Sequence, residues 1–309
     1  MTLFDLGAAE PDPPDDGRPH HPLLEAPRDI SHEERAAPSG PLVRVALGVA
    51  YDGSGFHGFA AQPDQRTVAG ALGEALEAIT GAPVAWTCAG RTDSGVHATA
   101  QVVHVDLAAG LLARRYGASG APGEELAALA SSLSHQAGPD VEVWRALTVP
   151  ADFDARRSAL SRRYRYDVEV GRRNPLRRHQ VWHVGEPVDL AVLRLATDPL
   201  VGEHDFAAFC RRPPDRPSGP LTRRVLDARW KDAGEGVLRF EIEAKAFCHQ
   251  MVRSAVGALV AAGTGRIRPS DVVALLRSGE RTGAPQLAPP EGLCLVAVRY
   301  ADELGGSWS

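Results

Sequence analysis

The chain has no run of apolar residues approaching the length needed to cross a bilayer. Its opening, MTLFDLGAAEPDPPDDG, lacks the basic and apolar regions of a secretion signal, so a cytoplasmic protein is expected. Cysteine is scarce. Cys88, Cys210, Cys248 and Cys294 lie far apart with no C-x-x-C pair, which argues against a disulfide framework and a zinc ribbon and leaves four reduced thiols as the expectation. A metal site assembled from His204, Cys210, Cys248 and His249 would match no standard ligand spacing, so no metal is expected. There is no G-x-G-x-x-G, which speaks against a nucleotide cofactor.

The net charge of -5 speaks against nucleic acid only until its distribution is read. Residues 1–40 hold nine acidic and three basic side chains, giving -6, so the remainder carries +1. That first segment is rich in Pro, Asp, Glu and Gly and has few apolar residues to bury; it is expected to be a disordered tail. Between Arg156 and Arg178 stand nine arginines against Asp167 and Glu169, a local basic field suited to phosphates or, equally, a solvated charged face.

From Leu42 the pattern alternates: Val43, Val45, Leu47, Val49 and Tyr51 share one face of a strand that ends at Asp52-Gly53-Ser54-Gly55. Thr67 then caps a helix through Val68, Leu72, Ala75, Leu76 and Ile79, with Gly81 as the stop. A short strand leads into Ala89-Gly90-Arg91-Thr92-Asp93-Ser94-Gly95-Val96-His97, a glycine-bracketed polar turn, and another strand follows. Two strands joined directly by a turn fit a ferredoxin-like β-α-β-β order better than a doubly wound parallel sheet. Within the turn, Asp93 either closes the loop through its own backbone amides or stands as an exposed nucleophile.

Further segments bear on that choice. Ser161 to Val170 alternates, with Tyr164, Tyr166, Val168 and Val170 on one face and Arg163, Arg165, Asp167 and Glu169 on the other. Val188 to Leu200 reads as an amphipathic helix; Phe206 and Phe209 read as core anchors; Arg211 to Pro217 reads as a basic, proline-rich loop. Ala246-Phe247-Cys248-His249-Gln250-Met251-Val252-Arg253 begins at a strand end and continues as an apolar helix. An arginine buried there would be costly without a partner.

The 89–97 turn, the Tyr164 strand and the 246–257 run, in that order, resemble the motifs of the tRNA pseudouridine synthase A family, and the resemblance spans about Val43 to Tyr300. It implies an α+β fold of two ferredoxin-like halves forming a continuous, mainly antiparallel sheet, with helices on one face and the active-site cleft on the other. The halves would run over 41–149 and 150–303, with 304–309 as a tail. It implies a pseudouridine synthase that isomerises uridine at positions 38, 39 and 40 of the tRNA anticodon stem-loop, acting as a homodimer without a cofactor. Asp93 would be the nucleophile, Arg253 its ion-pair partner, Arg91 a second cation able to orient it, and Tyr164 the ring that stacks on the target base. Whether Asp93 attacks C1′ or C6 stays open. This sequence departs from the family pattern at Ala60 and Ser134, where glutamine and asparagine are usual, and at Cys294, where tyrosine is common. Two other readings compete: an RNA-binding protein without catalysis, and a small-molecule hydrolase with an aspartate nucleophile.

Overall fold

The computed structural model describes residues 40–116, 124–212, 218–280 and 285–309; the segment 1–39 and most of the 211–217 loop, both singled out above, lie outside them. Among the described residues one sheet of eleven strands organises the chain. The first part runs β1 (Leu42–Tyr51), α1 (Val68–Thr80), β2 (Trp86–Cys88), β3 (His97–Ala108), α2 (Ala109–Tyr116), α3 (Glu124–Ala137) and β4 (Val141–Thr148). The second runs β5 (Ser161–Val170), β6 (Trp182–Val184), α4 (Leu190–Thr197), β7 (Gly202–Asp205), β8 (Thr222–Asp232), β9 (Val237–Ala244), α5 (Met251–Gly263), α6 (Pro269–Ser278), β10 (Leu293–Arg299) and β11 (Ser307–Trp308). The strand order is β4-β1-β3-β10-β5-β9-β8-β7, with β2 on β3, β6 on β5 and β11 on β10. Pairing is antiparallel except between β10 and β3 and between β5 and β6. No described helix is long and apolar enough to cross a membrane.

Local chemistry sets the helix ends. Thr67 accepts a hydrogen bond from the amide of Gly70 at 3.1 Å, and Gly81 closes α1 in the left-handed region at φ 78°. Helix α5 starts after Gln250, itself left-handed at φ 65°, and every residue in it except Arg253 is buried. A helix apolar all round must be enclosed, which makes its one arginine conspicuous.

Register fixes the faces, because directly paired residues share one. Tyr164 and Tyr166 of β5 pair with Ile242 and Phe240 of β9 and with Leu295 and Leu293 of β10. This face carries α5 and the chain beside it: Tyr164 packs edge-on against Phe247 at 5.0 Å, and the Tyr166 hydroxyl donates to the Pro289 carbonyl at 2.7 Å. The other face of β5, β9 and β8 is charged. Arg163 and Glu243, Arg239 and Asp167, and Arg229, Lys231 and Glu241 are ion-paired across it.

Under the first part of the sheet, β1 is enclosed on both sides. A Cβ on Gly48 would meet Trp144 at 2.8 Å and Trp308 at 2.9 Å. The expected 304–309 tail is therefore docked: β11 pairs with β10 and Trp308 is completely buried. Ser134, in place of the usual asparagine, lies on α3 and ties it to β4 by accepting from the Val143 amide at 2.8 Å. The linker between β4 and β5 is held by the Arg44 guanidinium and the Tyr300 hydroxyl, which donate to the carbonyls of Phe153 and Ala155.

Candidate active site

The 89–97 turn joins β2 to β3 and is pinned from four sides. The Thr92 hydroxyl shares a 2.8 Å hydrogen bond with the Tyr51 hydroxyl. The Thr92 carbonyl accepts from the Phe59 amide at 3.1 Å, and Gln101 donates to the Gly90 carbonyl at 2.6 Å. Below it, Gly53 comes so close that a Cβ there would sit 2.1 Å from the Val96 carbonyl oxygen. The Tyr51 to Phe59 segment is thus the bed on which the Asp93 turn lies, and Gly53 is needed for close approach.

The fourth tie is Arg162, two residues before Tyr164 on the same face of β5. Its guanidinium is buried and donates to the carbonyls of Ala89 at 2.9 Å and Lys245 at 2.8 Å, and also to Arg156 and Ala159. Burial pulls its pKa down, and its hydrogen-bond partners are all carbonyl groups. One side chain therefore clamps the start of the aspartate turn to the start of the run leading into α5.

That run delivers two side chains to Asp93. Arg253 Nη1 donates to Asp93 Oδ2 at 2.9 Å, while its Nε donates to the Ala288 carbonyl at 2.8 Å. His249 Nε2 lies 3.4 Å from the other oxygen, Oδ1. The arginine is 12% exposed and the carboxylate 24%, so water screens the pair only partly. Burial pushes the Asp93 carboxyl upward, but the contacts and charges of His249 and Arg253 outweigh it and hold the group below the ordinary carboxylate range. Asp93 is an ionised, oriented carboxylate at neutral pH. Tyr164 is near enough to feel its charge, and burial pushes the tyrosine hydroxyl far up.

Asp93, Arg253 and Tyr164, singled out from the sequence, thus converge. Arg91 is exposed at the turn, and Arg253 and His249 are in contact with the Asp93 carboxylate. The arginine reaching Asp93 grows from α5, and Tyr164 lies on the face of β5 that packs against Phe247.

Two other expectations change. Cys210 and Cys248 form a disulfide, their Cα atoms 5.8 Å apart, so only Cys88 and Cys294 are free thiols. The pairing arises because the 245–250 turn folds back on the 207–210 turn, where the Arg211 amide donates to the His249 carbonyl at 3.0 Å. It also removes both thiols from the imagined metal site, and the described residues contain no cluster of three or more metal-ligating side chains. The nine arginines do not form one basic field: Arg162 is buried, and Arg163, Arg165 and Arg177 are paired with Glu243, Asp167 and Glu235. Arg156, Arg157, Arg172, Arg173 and Arg178 remain exposed.

The site is an ionised carboxylate held by a largely buried arginine beside an aromatic side chain. The family model described as tRNA pseudouridine synthase matches residues 196–301, which include α5 and Arg253. A tRNA pseudouridine synthase A from Leifsonia xyli is 44% identical over 267 residues, covering 83% of this chain and 91% of that protein. One from Frankia casuarinae is 44% identical over 263 residues, covering 84% and 90%; one from Streptomyces griseus is 40% identical over 270, covering 85% and 90%. The chain belongs to the tRNA pseudouridine synthase A family, and it is a pseudouridine synthase, an isomerase.

Proposed function

We propose that this enzyme converts uridine to pseudouridine at positions 38, 39 and 40 of the tRNA anticodon stem-loop, with Asp93 as the nucleophile. The observation that carries the reading is the Asp93–Arg253 pair, formed between the β2–β3 turn and α5 next to Tyr164. Pseudouridine is an isomer of uridine: the N1–C1′ bond breaks, and a C5–C1′ bond forms. No electrons are gained or lost, so the chemistry asks for a nucleophile, a place to hold the loose base and exclusion of water, and for no cofactor.

Asp93 forms the covalent bond, and Arg253 keeps it ionised and aimed. Tyr164, backed by Phe247, stacks on the extruded base; a base–aromatic stack is worth about 1–3 kcal/mol against an extrusion cost of a few. Exposed Arg156, Arg157, Arg172, Arg173 and Arg178 supply phosphate contacts, and RNA is read mainly through shape and backbone. Arg91, at the same turn, is a second cation able to orient Asp93.

We read residues 41–149 and 150–303 as two ferredoxin-like halves; the orders β4-β1-β3 with β2, and β10-β5-β9-β8, support this. A cytoplasmic homodimer with tRNA crossing both subunits completes the proposal. The test is product mapping on unmodified tRNA transcripts with uridines 38 to 40 changed to cytidine singly and together. Pseudouridine confined to those positions, and lost in the triple change, is the expected result; product elsewhere would defeat the assignment of the stem-loop.

A further inference from the structure

The isomerisation also has a proton to move. When C5 of the detached uracil bonds to C1′, C5 becomes tetrahedral and carries both its hydrogen and the ribose. The product forms only when C5 loses that proton and N1 gains one. Asp93 is committed to the covalent step and engaged by Arg253, so this transfer calls for another group.

We propose that His249 is a second catalytic residue, the base that takes the C5 proton and returns a proton to N1. The proposal rests on the reading of Asp93 as the nucleophile. The C5–H electron pair becomes the C5–C6 π bond, the C6–N1 π pair withdraws onto N1, and the imidazolium so formed delivers a proton there. Atoms and charge balance without a co-reactant.

Geometry singles the histidine out. Its Nε2 lies 3.4 Å from Asp93 Oδ1, on the oxygen that Arg253 leaves free. Its side chain is 49% exposed, whereas Arg253 is 12% exposed, so the imidazole is the partner of Asp93 with solvent-side atoms free to meet a substrate. Its backbone is fixed, with the carbonyl bonded to the Arg211 amide and the preceding residue tied to Cys210. The neighbouring groups do not serve as bases near neutrality. The Tyr164 and Tyr51 hydroxyls are buried and pushed far up, the Cys88 thiol is pushed up to about 11, and guanidinium groups such as Arg91, Arg162 and Arg253 stay protonated. Histidine is the side chain whose ordinary titration spans that range.

The experiment compares the native enzyme, His249→Gln and Asp93→Ala in single turnovers on tRNA transcripts made with uridine protiated or deuterated at C5. Glutamine keeps a donor toward Asp93 Oδ1 but accepts no proton. The proposal expects His249→Gln to be slower by about 10²–10⁴-fold, the usual worth of a general base, with deuterium slowing the variant more than it slows the native enzyme. Its melting temperature and tRNA affinity should be unchanged, because the side chain is half exposed. Added imidazole should speed His249→Ala. A His249→Gln rate equal to native, or a slower rate with no larger isotope effect, overturns the base. Failure of the native enzyme to form pseudouridine would overturn the nucleophile reading as well, whereas an inactive Asp93→Ala beside an unimpaired His249→Gln overturns the base alone.

Discussion

Replacing Arg253 with methionine keeps an unbranched side chain on α5 while deleting its charge. The native pair spans 2.9 Å, with 12% and 24% exposure on its two sides. Removing one partner of a fully buried ion pair costs roughly 3–5 kcal/mol. Asp93 keeps His249 and some solvent, so we take about 2–3 kcal/mol after discounting for screening. That cost falls on the folded state and lowers the melting temperature; the carboxylate that has lost its aim should react about 10²-fold more slowly. The sign of the pH effect follows from what remains. In the native site burial pushes Asp93 up, and His249 and Arg253 together pull it below its ordinary range; without Arg253 the upward push is opposed by His249 alone. The folded-state pKa of Asp93 therefore rises, and the acid limb of the rate profile moves to higher pH, so the deficit shrinks as pH increases. Single-turnover pseudouridine formation measured from mildly acidic to mildly alkaline pH reads both effects, with a melting curve to confirm folding. An unchanged acid limb in a folded variant would refute the reasoning.

Other substitutions probe the supports of the site. Tyr164→Ala should lose about 1–3 kcal/mol of base stacking, seen as weaker single-turnover kinetics, while Tyr164→Phe should remain near native; equal losses in both would show that the hydroxyl matters more than the ring. Gly53→Ala forces a Cβ onto the Val96 carbonyl and should cost about 1–3 kcal/mol by overpacking, lowering both melting temperature and rate because the displaced atoms belong to the turn that carries Asp93. Arg162→Met strips donors from the carbonyls of Ala89, Lys245, Arg156 and Ala159; at about 1–3 kcal/mol for a buried group left unsatisfied, a clear drop in melting temperature is expected, and an unchanged one would deny the clamp.

Much of the site was legible because its chemistry is compressed into short runs. The 89–97 turn shows its carboxylate and glycines at sight, and an arginine in the apolar 251–263 helix poses a question that only a buried anion answers. His249 stood four residues before Arg253 in that same run, yet its part was hidden: the meeting of both side chains on opposite oxygens of Asp93 depends on Gln250 turning left-handed just before the helix. Strand alternation around Tyr164 sorts residues into two faces but is silent about which face a helix will cover. Arg162 looks like one arginine among nine, because charge in a sequence reads as surface; only the register of β5 against β9 and β10 shows it buried among carbonyls. The Cys210–Cys248 pairing joins residues 38 apart with no spacing rule to announce it. Trp308 lay in a short polar-looking terminus, and its burial depends on Gly48 leaving room for the ring.

The most direct test of the account is to incubate unmodified tRNA transcripts with the native enzyme and with Asp93→Asn, which keeps the volume of the side chain and removes its charge, and to measure pseudouridine with no cofactor added. The account predicts conversion by the native enzyme and none by Asp93→Asn, with tRNA binding retained by both. Conversion by the asparagine variant at a rate comparable to native would contradict it, since the nucleophile would then lie elsewhere.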